Sequence, residues 1–249
     1  MNGHLAVIGT GPGDPALLAP RAAEMLAAAT DLVGYGPYLD RLPPYPGQIR
    51  HPSDNRVELE RACHALSLAA VGCRVAVVSA GDAGVFGMAA AVFEALEEHP
   101  AWRGLDIEVV PGISALLAAA ARLGAPLGHD FCAISLSDNL KPWTVVLERL
   151  LAAARVGFVM ALYNPTSRAR PWQLGAAFEA LRGVLPGDTP VAFATAISRV
   201  DEHVAITTLA AADPAQADMR TLVIVGSAAT RRVERDGAAP WLYTPRRAR

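Results

Sequence analysis

The sequence has little of what several common classes of protein need. Only 18% of its 249 residues are charged and its formal net charge is -2, so we expect no basic surface for nucleic acid. Its three cysteines, Cys63, Cys73 and Cys132, lack CxxC spacing, and its six histidines form no HxxxH or HExxH pair. These absences favour free thiols in a reducing compartment and predict no bound metal.

Long apolar runs are also missing. The longest uncharged one, Val109–Ala121, is interrupted by Pro111 and Gly112 and stops at Arg122, so it is too short to cross a bilayer. The chain starts with a strand-like segment and lacks the basic start of a signal peptide. We therefore expect a cytoplasmic protein with no membrane partner.

Apolar residues, by contrast, make up 52% of the chain, and many of them are alanine, which favours closely packed helices. Short β-rich runs alternate with longer helical stretches, a pattern typical of βαβ units around a mainly parallel sheet. In the first half this pattern predicts strands His4–Ile8, Asp31–Tyr35, Arg74–Ser79 and Asp106–Val110, and helices Leu17–Ala29, Val57–Ala70 and Met88–His99.

The second half repeats the alternation with a difference. Strands Val191–Thr195 and His203–Thr207 are joined by a connection too short for a helical crossover, so we predict antiparallel pairing in a mixed sheet. The other predicted elements are strands Phe131–Ser135, Gly157–Tyr163 and Thr221–Val225, and helices Trp143–Ala154 and Trp172–Val184.

Together these elements predict an α/β protein of two domains, residues 1–113 with a mainly parallel sheet and residues 114–249 with a mixed sheet. Beyond Gly226 the chain is polar and rich in arginine, which is typical of a tail or a partner-facing segment. The arginines concerned are Arg231, Arg232, Arg235, Arg246, Arg247 and Arg249.

A glycine-rich turn follows the first predicted strand. The segment Gly9–Pro15 is similar to the dinucleotide fingerprint GxGxxG, but Asp14 stands at the third glycine and Pro12 removes an N–H from the phosphate loop. The strand Asp31–Tyr35 is followed by Gly36 instead of an acidic residue that would bind a ribose. A nicotinamide enzyme is therefore the less favoured alternative.

Two more turns of this kind follow predicted strands, at Ser79–Gly87 and Val110–Ala115. Glycine lets backbone approach a ligand closely, and the carboxyl ends of parallel strands are where open α/β sheets bind ligands. Asp82 and Ser114 are candidate ligand contacts, although both are also suited to cap a helix. Because the turns recur at the strand ends of one sheet, they predict a ligand site.

A fourth strand end, Ala161–Pro165, carries an aromatic ring and an amide, and arginines follow it closely. An anionic substrate of a near-neutral protein needs a local group of arginines. We therefore predict substrate contacts from Tyr163, Asn164, Arg168 and Arg170.

The order of these motifs resembles that of the tetrapyrrole methylase family. The matching segments, Ile8–Pro15, Ser79–Asp82, Val110–Ala115 and Ala161–Pro165, extend the resemblance over residues 4–228. Gly81–Met88, Leu123–Phe131 and Ala161–Pro165 are similar to the motifs of members that methylate a precorrin and contract its ring. Members acting on uroporphyrinogen usually have an aspartate where this chain has Gly36, which argues against that substrate.

This resemblance implies a homodimeric enzyme whose two α/β domains hold S-adenosylmethionine in the cleft between them, with a precorrin as methyl acceptor and S-adenosylhomocysteine as product. By family position, the cofactor would be contacted by Pro12, Ala80, Gly81, Asp82, Ser114 and Ala115 from the first domain, and by Leu162, Ala192, Thr221 and Leu222 from the second.

The resemblance also implies a second step, contraction of the macrocycle, which removes a proton from a substrate hydroxyl and opens a lactone. Asp14, Asp138 and Lys141 are the candidate acid or base groups, with solvated or capping side chains as the alternative. Two other functions stay open: methylation of a different precorrin or cobalt-precorrin, and a non-catalytic carrier of tetrapyrroles or nucleotides.

Overall fold

The computed structural model describes residues 3–247. The chain folds into two compact units, Met1–Ala115 and Leu116–Arg249. Arg249, which belongs to the predicted arginine-rich tail, lies outside the described residues.

The first unit is a five-stranded sheet with helices on both faces. Its strands are β1 (His4–Gly9), β2 (Asp31–Tyr35), β3 (Ile49–Ser53), β4 (Arg74–Ser79) and β5 (Asp106–Val110), in the spatial order β3-β2-β4-β1-β5. All neighbouring strands are parallel, as predicted. The helices are α1 (Pro20–Ala28), α2 (Gly36–Leu39), α3 (Glu58–Ala70) and α4 (Met88–Glu98), with short 3-10 turns at Pro15–Leu17 and Pro100–Trp102.

The apolar character of β4 follows from burial on two sides. Val75 and Val77 pack into one core cluster together with α3 and α4, whereas Ala76 and Val78 pack into a second cluster on the opposite face with residues of α1. Successive side chains of a strand point to opposite faces, so a strand covered on both sides must be apolar throughout. The first sheet is therefore covered on both faces.

One predicted helix is shorter than expected. The pattern predicted a helix over Leu17–Ala29, but α1 begins at Pro20, and the preceding Leu18 and Ala19 are extended. Proline is suited to the first helical position because its fixed φ matches the helix and its missing N–H would have no partner there. Pro20 therefore marks the start of the helix.

The second unit is built on a mixed five-stranded sheet. The strands of this sheet are β7 (Phe131–Ser135), β8 (Val159–Tyr163), β9 (Pro190–Thr195), β10 (His203–Thr208) and β11 (Thr221–Val225). A separate three-stranded sheet contains β6 (Gly124–Ala125), β12 (Arg231–Arg235) and β13 (Ala238–Tyr243). The helices are α5 (Ala115–Leu123), which begins at the last residue of the first unit, α6 (Trp143–Arg155) and α7 (Gln173–Arg182), with a 3-10 turn at Pro214–Gln216. In the main sheet, ordered β10-β9-β11-β8-β7, β7 and β8 are parallel and the other neighbours are antiparallel. The predicted mixed sheet and the antiparallel pairing of β9 with β10 are confirmed.

The arginine-rich segment after Gly226 is folded, so the prediction of a tail is wrong for most of it. β12 and β13 form an antiparallel hairpin, and β13 also pairs with β6. The side chain of Leu242 is buried in a core cluster of the second unit. The guanidinium of Arg235 lies over the ring of Trp241, 4.1 Å from its centroid, and holds the exposed strand against its neighbour.

Candidate functional site

The three glycine turns of the first unit lie side by side. They follow β4, β1 and β5, which are neighbours in the sheet. Gly11 and Gly81 exchange backbone hydrogen bonds: Gly81 N–H donates to the Gly11 carbonyl at 2.8 Å, and Gly11 N–H donates to the Gly81 carbonyl at 3.0 Å. The sequence-based expectation that these turns meet at one sheet edge is therefore confirmed.

Two glycines that the sequence did not single out allow this close approach. A Cβ on Gly112 would stand 2.6 Å from the carbonyl oxygen of Gly9 and closer still to that of Gly81. A Cβ on Gly9 would stand 2.7 Å from the Gly112 nitrogen. Since side chains never approach backbone this closely, only glycine fits at either position.

Gly81 is different, because a Cβ could be accommodated there without a close contact. Its φ of +69° lies in the left-handed region that favours glycine. A Cβ there would make ordinary contacts, 3.6 Å to the Cα of Ser114 and 3.7 Å to the nitrogen of Ala115. Neighbouring Ala80 is half-buried and Pro12 is buried. A ligand can therefore approach the backbone of Gly81 directly.

The Asp82 side chain connects the turn after β4 to the turn after β5. One carboxylate oxygen accepts a hydrogen bond from Gly84 N–H at 2.8 Å, and the other accepts one from Gly112 N–H at 3.0 Å. The helix that follows, α4, has Gly87 as its N-cap residue. The interpretation of Asp82 as a helix N-cap is therefore wrong, and its carboxylate instead fixes the relative position of two turns.

Asp14 has a local role. Its side chain is exposed and accepts a hydrogen bond from Ala16 N–H at 2.9 Å, which caps the 3-10 turn Pro15–Leu17. One carboxylate oxygen is used in this way, so the other is available to solvent or to a substrate.

The ends of β7 and β8 form the corresponding edge of the second unit. Asn164 has a φ of +52°, which asparagine tolerates better than most residues. Its side-chain N–H donates to Ser135 Oγ at 3.0 Å, so that the two strand ends are connected. The Tyr163 hydroxyl accepts a hydrogen bond from Leu116 N–H at 3.1 Å, in the first turn of α5.

The loop after Asn164 contains polar atoms that are buried without a partner. Ser167 and Arg170 exchange backbone hydrogen bonds at 3.0 Å, and Arg170 also donates to the Asn164 carbonyl at 3.4 Å. Within the described residues, Arg170 Nε, Ser167 Oγ and Gln173 Oε1 have no hydrogen-bond partner. Since buried polar groups are nearly always satisfied in native proteins, this loop is suited to a polar ligand or to bound water. Arg168 is exposed to solvent.

Asp138 and Lys141 lie in the loop after β7 with separate surroundings. Gln173 donates a hydrogen bond to the Asp138 carboxylate at 3.0 Å. Burial and the nearby charge of Arg149 lower the pKa of Lys141. No ion pair within the described part of the chain joins Lys141 to Asp138. The direction of this pKa shift keeps Lys141 among the candidates for an acid or base.

The cofactor positions proposed in the second unit are buried. Leu162 packs into one core cluster, whereas Ala192 and Leu222 pack into another on the opposite face of the sheet. The Thr221 hydroxyl is hydrogen-bonded to Asp218 at 2.9 Å and to Thr195 at 2.8 Å. Leu162 and Ala192 are 0% exposed and Leu222 is 3% exposed, so their main-chain atoms are buried together with their side chains.

Some positioning residues carried no sequence signal. Ser135, Gln173 and Asp218 hold Asn164, Asp138 and Thr221 respectively, and none of the three stands in a recognisable motif. By contrast, Gly9 and Gly112 lie inside the quoted motifs, where the number of glycines was the available signal.

The described residues contain neither a membrane-spanning helix nor a metal-binding cluster. In residues 3–247 no helix is long and apolar enough to span a bilayer. The same residues bring together no group of three or more His, Cys, Asp or Glu side chains that could hold a metal ion.

Comparison with known proteins relates this geometry to a family. The sequence profile of the tetrapyrrole (corrin/porphyrin) methylases matches residues 4–213. Precorrin-3B C(17)-methyltransferase of Sinorhizobium sp is 59% identical over 99% of this chain and 97% of that protein. A probable cobalt-factor III C(17)-methyltransferase of Salmonella typhimurium is 43% identical over 91% of this chain and 93% of that protein. Cobalamin biosynthesis protein CobIJ of Mycobacterium tuberculosis is 49% identical, and the chain spans 49% of its length.

Solved structures agree with the sequence relatives. The crystal structure of the methyltransferase CobJ has a TM-score of 0.94 and 53% identity, covering 98% of this chain and 100% of that one. Uroporphyrin-III C-methyl transferase from Thermus thermophilus, solved in complex with S-adenyl homocysteine, has a TM-score of 0.68 and 25% identity over 90% of this chain and 97% of that one. The chain belongs to the tetrapyrrole methylase family.

Proposed function

We propose that this protein transfers a methyl group from S-adenosylmethionine to C17 of precorrin-3B and contracts the ring to give precorrin-4, in cobalamin biosynthesis. The observation that carries the proposal is the 59% identity with the Sinorhizobium enzyme over 97% of that enzyme's length. Identity of this level over both units supports the same substrate as well as the same fold.

The first unit has the features that S-adenosylmethionine requires. The positive φ of Gly81, the absence of a side chain there and the backbone groups of three adjoining turns suit a ligand held mainly by main-chain contacts. We propose Pro12, Ala80, Gly81, Asp82, Ser114 and Ala115 as its contacts, together with Leu162, Ala192, Thr221 and Leu222 of the second unit. When bound, this cofactor supplies a methyl group on a sulfonium.

The protein's own part in methylation is positioning, because an electron-rich pyrrolic carbon is itself the nucleophile. Arg170 supports this role, since its half-buried guanidinium has an unpartnered Nε and suits a substrate carboxylate. We propose Tyr163, Asn164 and Arg168 as further substrate contacts. Ring contraction additionally needs a proton acceptor, for which Asp14, Asp138 and Lys141 are the candidates.

A related methyltransferase is the alternative. The 43% identity with the Salmonella protein, whose name specifies cobalt-factor III, favours a cobalt-bearing substrate as the second possibility. A homodimer and a cytoplasmic location were expected from the sequence and stay predictions.

Product analysis tests the proposed function. The purified protein should convert precorrin-3B and S-adenosylmethionine to S-adenosylhomocysteine and a methylated, ring-contracted product, identified by mass spectrometry and absorbance. A parallel reaction with the cobalt-bearing substrate provides the comparison. Methylation without contraction, or turnover of the cobalt form alone, would point to the alternative. Binding of the precorrin with no S-adenosylhomocysteine released would indicate a carrier.

Arg170→Gln should weaken precorrin binding by about tenfold, because a charge-assisted hydrogen bond to a carboxylate is lost from a half-buried position. Arg168→Gln should have a smaller effect, since exposed charges are screened by solvent. Fluorescence titration at low and high salt measures both, with the exposed Arg155→Gln on α6 as control. The loss of affinity in Arg170→Gln should be smaller at high salt. Equal affinities for all three variants and the unmodified protein would show that Arg170 does not contact the substrate.

A further inference from the structure

A second cluster of ionisable side chains lies on β2, the edge strand β3 and the helix α3. His51 Nε2 is 2.8 Å from an Asp31 carboxylate oxygen, and His51 Nδ1 is 3.1 Å from His64 Nε2. The hydroxyl of Thr30 donates to the other oxygen of Asp31 at 2.7 Å. None of these groups has a part in the proposed methyl transfer.

Asp31 is the buried end of this chain of hydrogen bonds. Its side chain is buried, with 4% relative exposure. Burial opposes its ionisation, but hydrogen bonds from Thr30 and His51 outweigh that effect and lower the pKa of Asp31. An ionised carboxylate only accepts hydrogen bonds, so Asp31 orients the ring of His51, and His51 in turn contacts His64 at the cavity described below.

A cavity of about 410 Å³ adjoins the two histidines. Its volume is in the range of small-molecule sites. Ionisable and hydroxyl side chains from strand and helix line it, namely Arg50, His51, Ser53, Glu60, Arg61 and His64. Glu60 is the one acidic side chain among the lining residues.

The two arginines of this cavity have no anionic partner. Arg61 is 5% exposed and donates to Ser53 Oγ at 2.7 Å, to the Asp54 carbonyl at 2.6 Å and to the Met88 sulfur at 3.2 Å. Arg50 donates to three backbone carbonyls, those of Leu39, Leu42 and Pro43. Within residues 3–247, no carboxylate lies within ion-pair distance of either guanidinium. These contacts hold the arginines rigidly. Glu58 attracts Arg61 from beyond ion-pair distance, and neither guanidinium is paired directly with a carboxylate, which favours a bound anion.

We propose that this cavity binds a phosphate group, as free phosphate or as a small phosphomonoester, through Arg50, Arg61 and His64. Each guanidinium keeps N–H groups beyond those already used, and arginine suits the oxygens of phosphate. The donors come from a strand and a helix, hence from different directions, which matches a tetrahedral anion better than a planar carboxylate. Among the lining residues only Glu60 has a negative charge that would repel an anion. The nearby carboxylate of Asp31 is hydrogen-bonded to His51 and Thr30.

Calorimetric titration of the full-length protein tests this proposal. Inorganic phosphate and glycerol phosphate are added separately, with a chelator present and S-adenosylhomocysteine saturating. Each should bind at one site per chain, and the tighter of the two identifies the form that the cavity prefers. His64→Ala should weaken binding by about tenfold through loss of one of the three proposed side-chain contacts. Glu60→Gln should tighten it, because a repelling charge is removed. His203→Ala, an exposed histidine of the second unit, is the matched control and should have no effect.

Three results would overturn the proposal. One is the absence of saturable binding by either anion. Another is an unchanged affinity in both His64→Ala and Glu60→Gln, which would place the anion elsewhere. The third is phosphate binding that appears only when a divalent metal replaces the chelator, which would assign the cavity to a metal ion. Because the cofactor is saturating throughout, failure here leaves the proposed methyltransferase function unaffected.

Discussion

Gly81→Val should leave the protein folded but weaken its affinity for S-adenosylhomocysteine by at least about tenfold. A valine Cβ has room at this position, 3.6 Å from the Cα of Ser114. Its two methyl groups, however, would extend into the space that we propose for the cofactor. The φ of +69° adds a conformational cost of about 1–2 kcal/mol for a residue with a side chain. Calorimetric titration with S-adenosylhomocysteine, together with thermal unfolding, measures both effects.

Gly81→Ala separates the steric effect from the backbone strain. Alanine has the same unfavourable φ but adds a single methyl group, whose contacts would be of ordinary length. It should therefore lower the unfolding temperature and keep most of the cofactor affinity. If folded Gly81→Val binds S-adenosylhomocysteine as tightly as the unmodified protein does, then the cofactor does not lie against this turn. Binding of NAD instead of S-adenosylhomocysteine would contradict the choice of cofactor itself.

The sequence predicted the strands that contain a β-rich apolar run, whether fully buried or partly exposed, and missed strands that lack such a run. β2 and β4 are apolar runs covered on both faces, and their bounds were predicted to the residue. β3 has the sequence Ile-Arg-His-Pro-Ser and lies at the sheet edge, where Pro52 costs little because one side of the strand has no partner. β12 is exposed throughout and rich in arginine, so its hydrophobic pattern gave no indication of a strand.

The candidate site shows the same division between local and long-range information. Glycine turns are a local property, since a positive φ or a close backbone contact requires glycine at that position, and the motifs therefore located the sheet edge. The partners of Asp138 and Asn164 are Gln173 and Ser135, which lie far from them in sequence. Such pairs are created only when strands and helices meet, and a single sequence contains no pattern that identifies them.

Substitution of the proton acceptor should stop ring contraction while methylation continues. The two steps make different demands, because methylation depends on positioning and contraction depends on proton transfer. Loss of a general base costs about 10²–10⁴-fold in rate, enough for a methylated, uncontracted product to accumulate. Asp14→Asn, Asp138→Asn and Lys141→Met are the variants to compare, by mass spectrometry and absorbance of their products.

The contacts of each candidate make this comparison interpretable. Asparagine at residue 14 can still accept from Ala16 N–H, and at residue 138 it can still accept from Gln173, so both variants should fold normally. Lys141 has a lowered pKa through burial and Arg149, so its neutral form appears at lower pH than in an ordinary lysine. If Lys141 is the base, contraction should accelerate as the pH rises and lose that dependence in Lys141→Met. If all three variants give contracted product at the unmodified rate, none of these side chains is the essential base. The proton would then pass to a substrate carboxylate or to water.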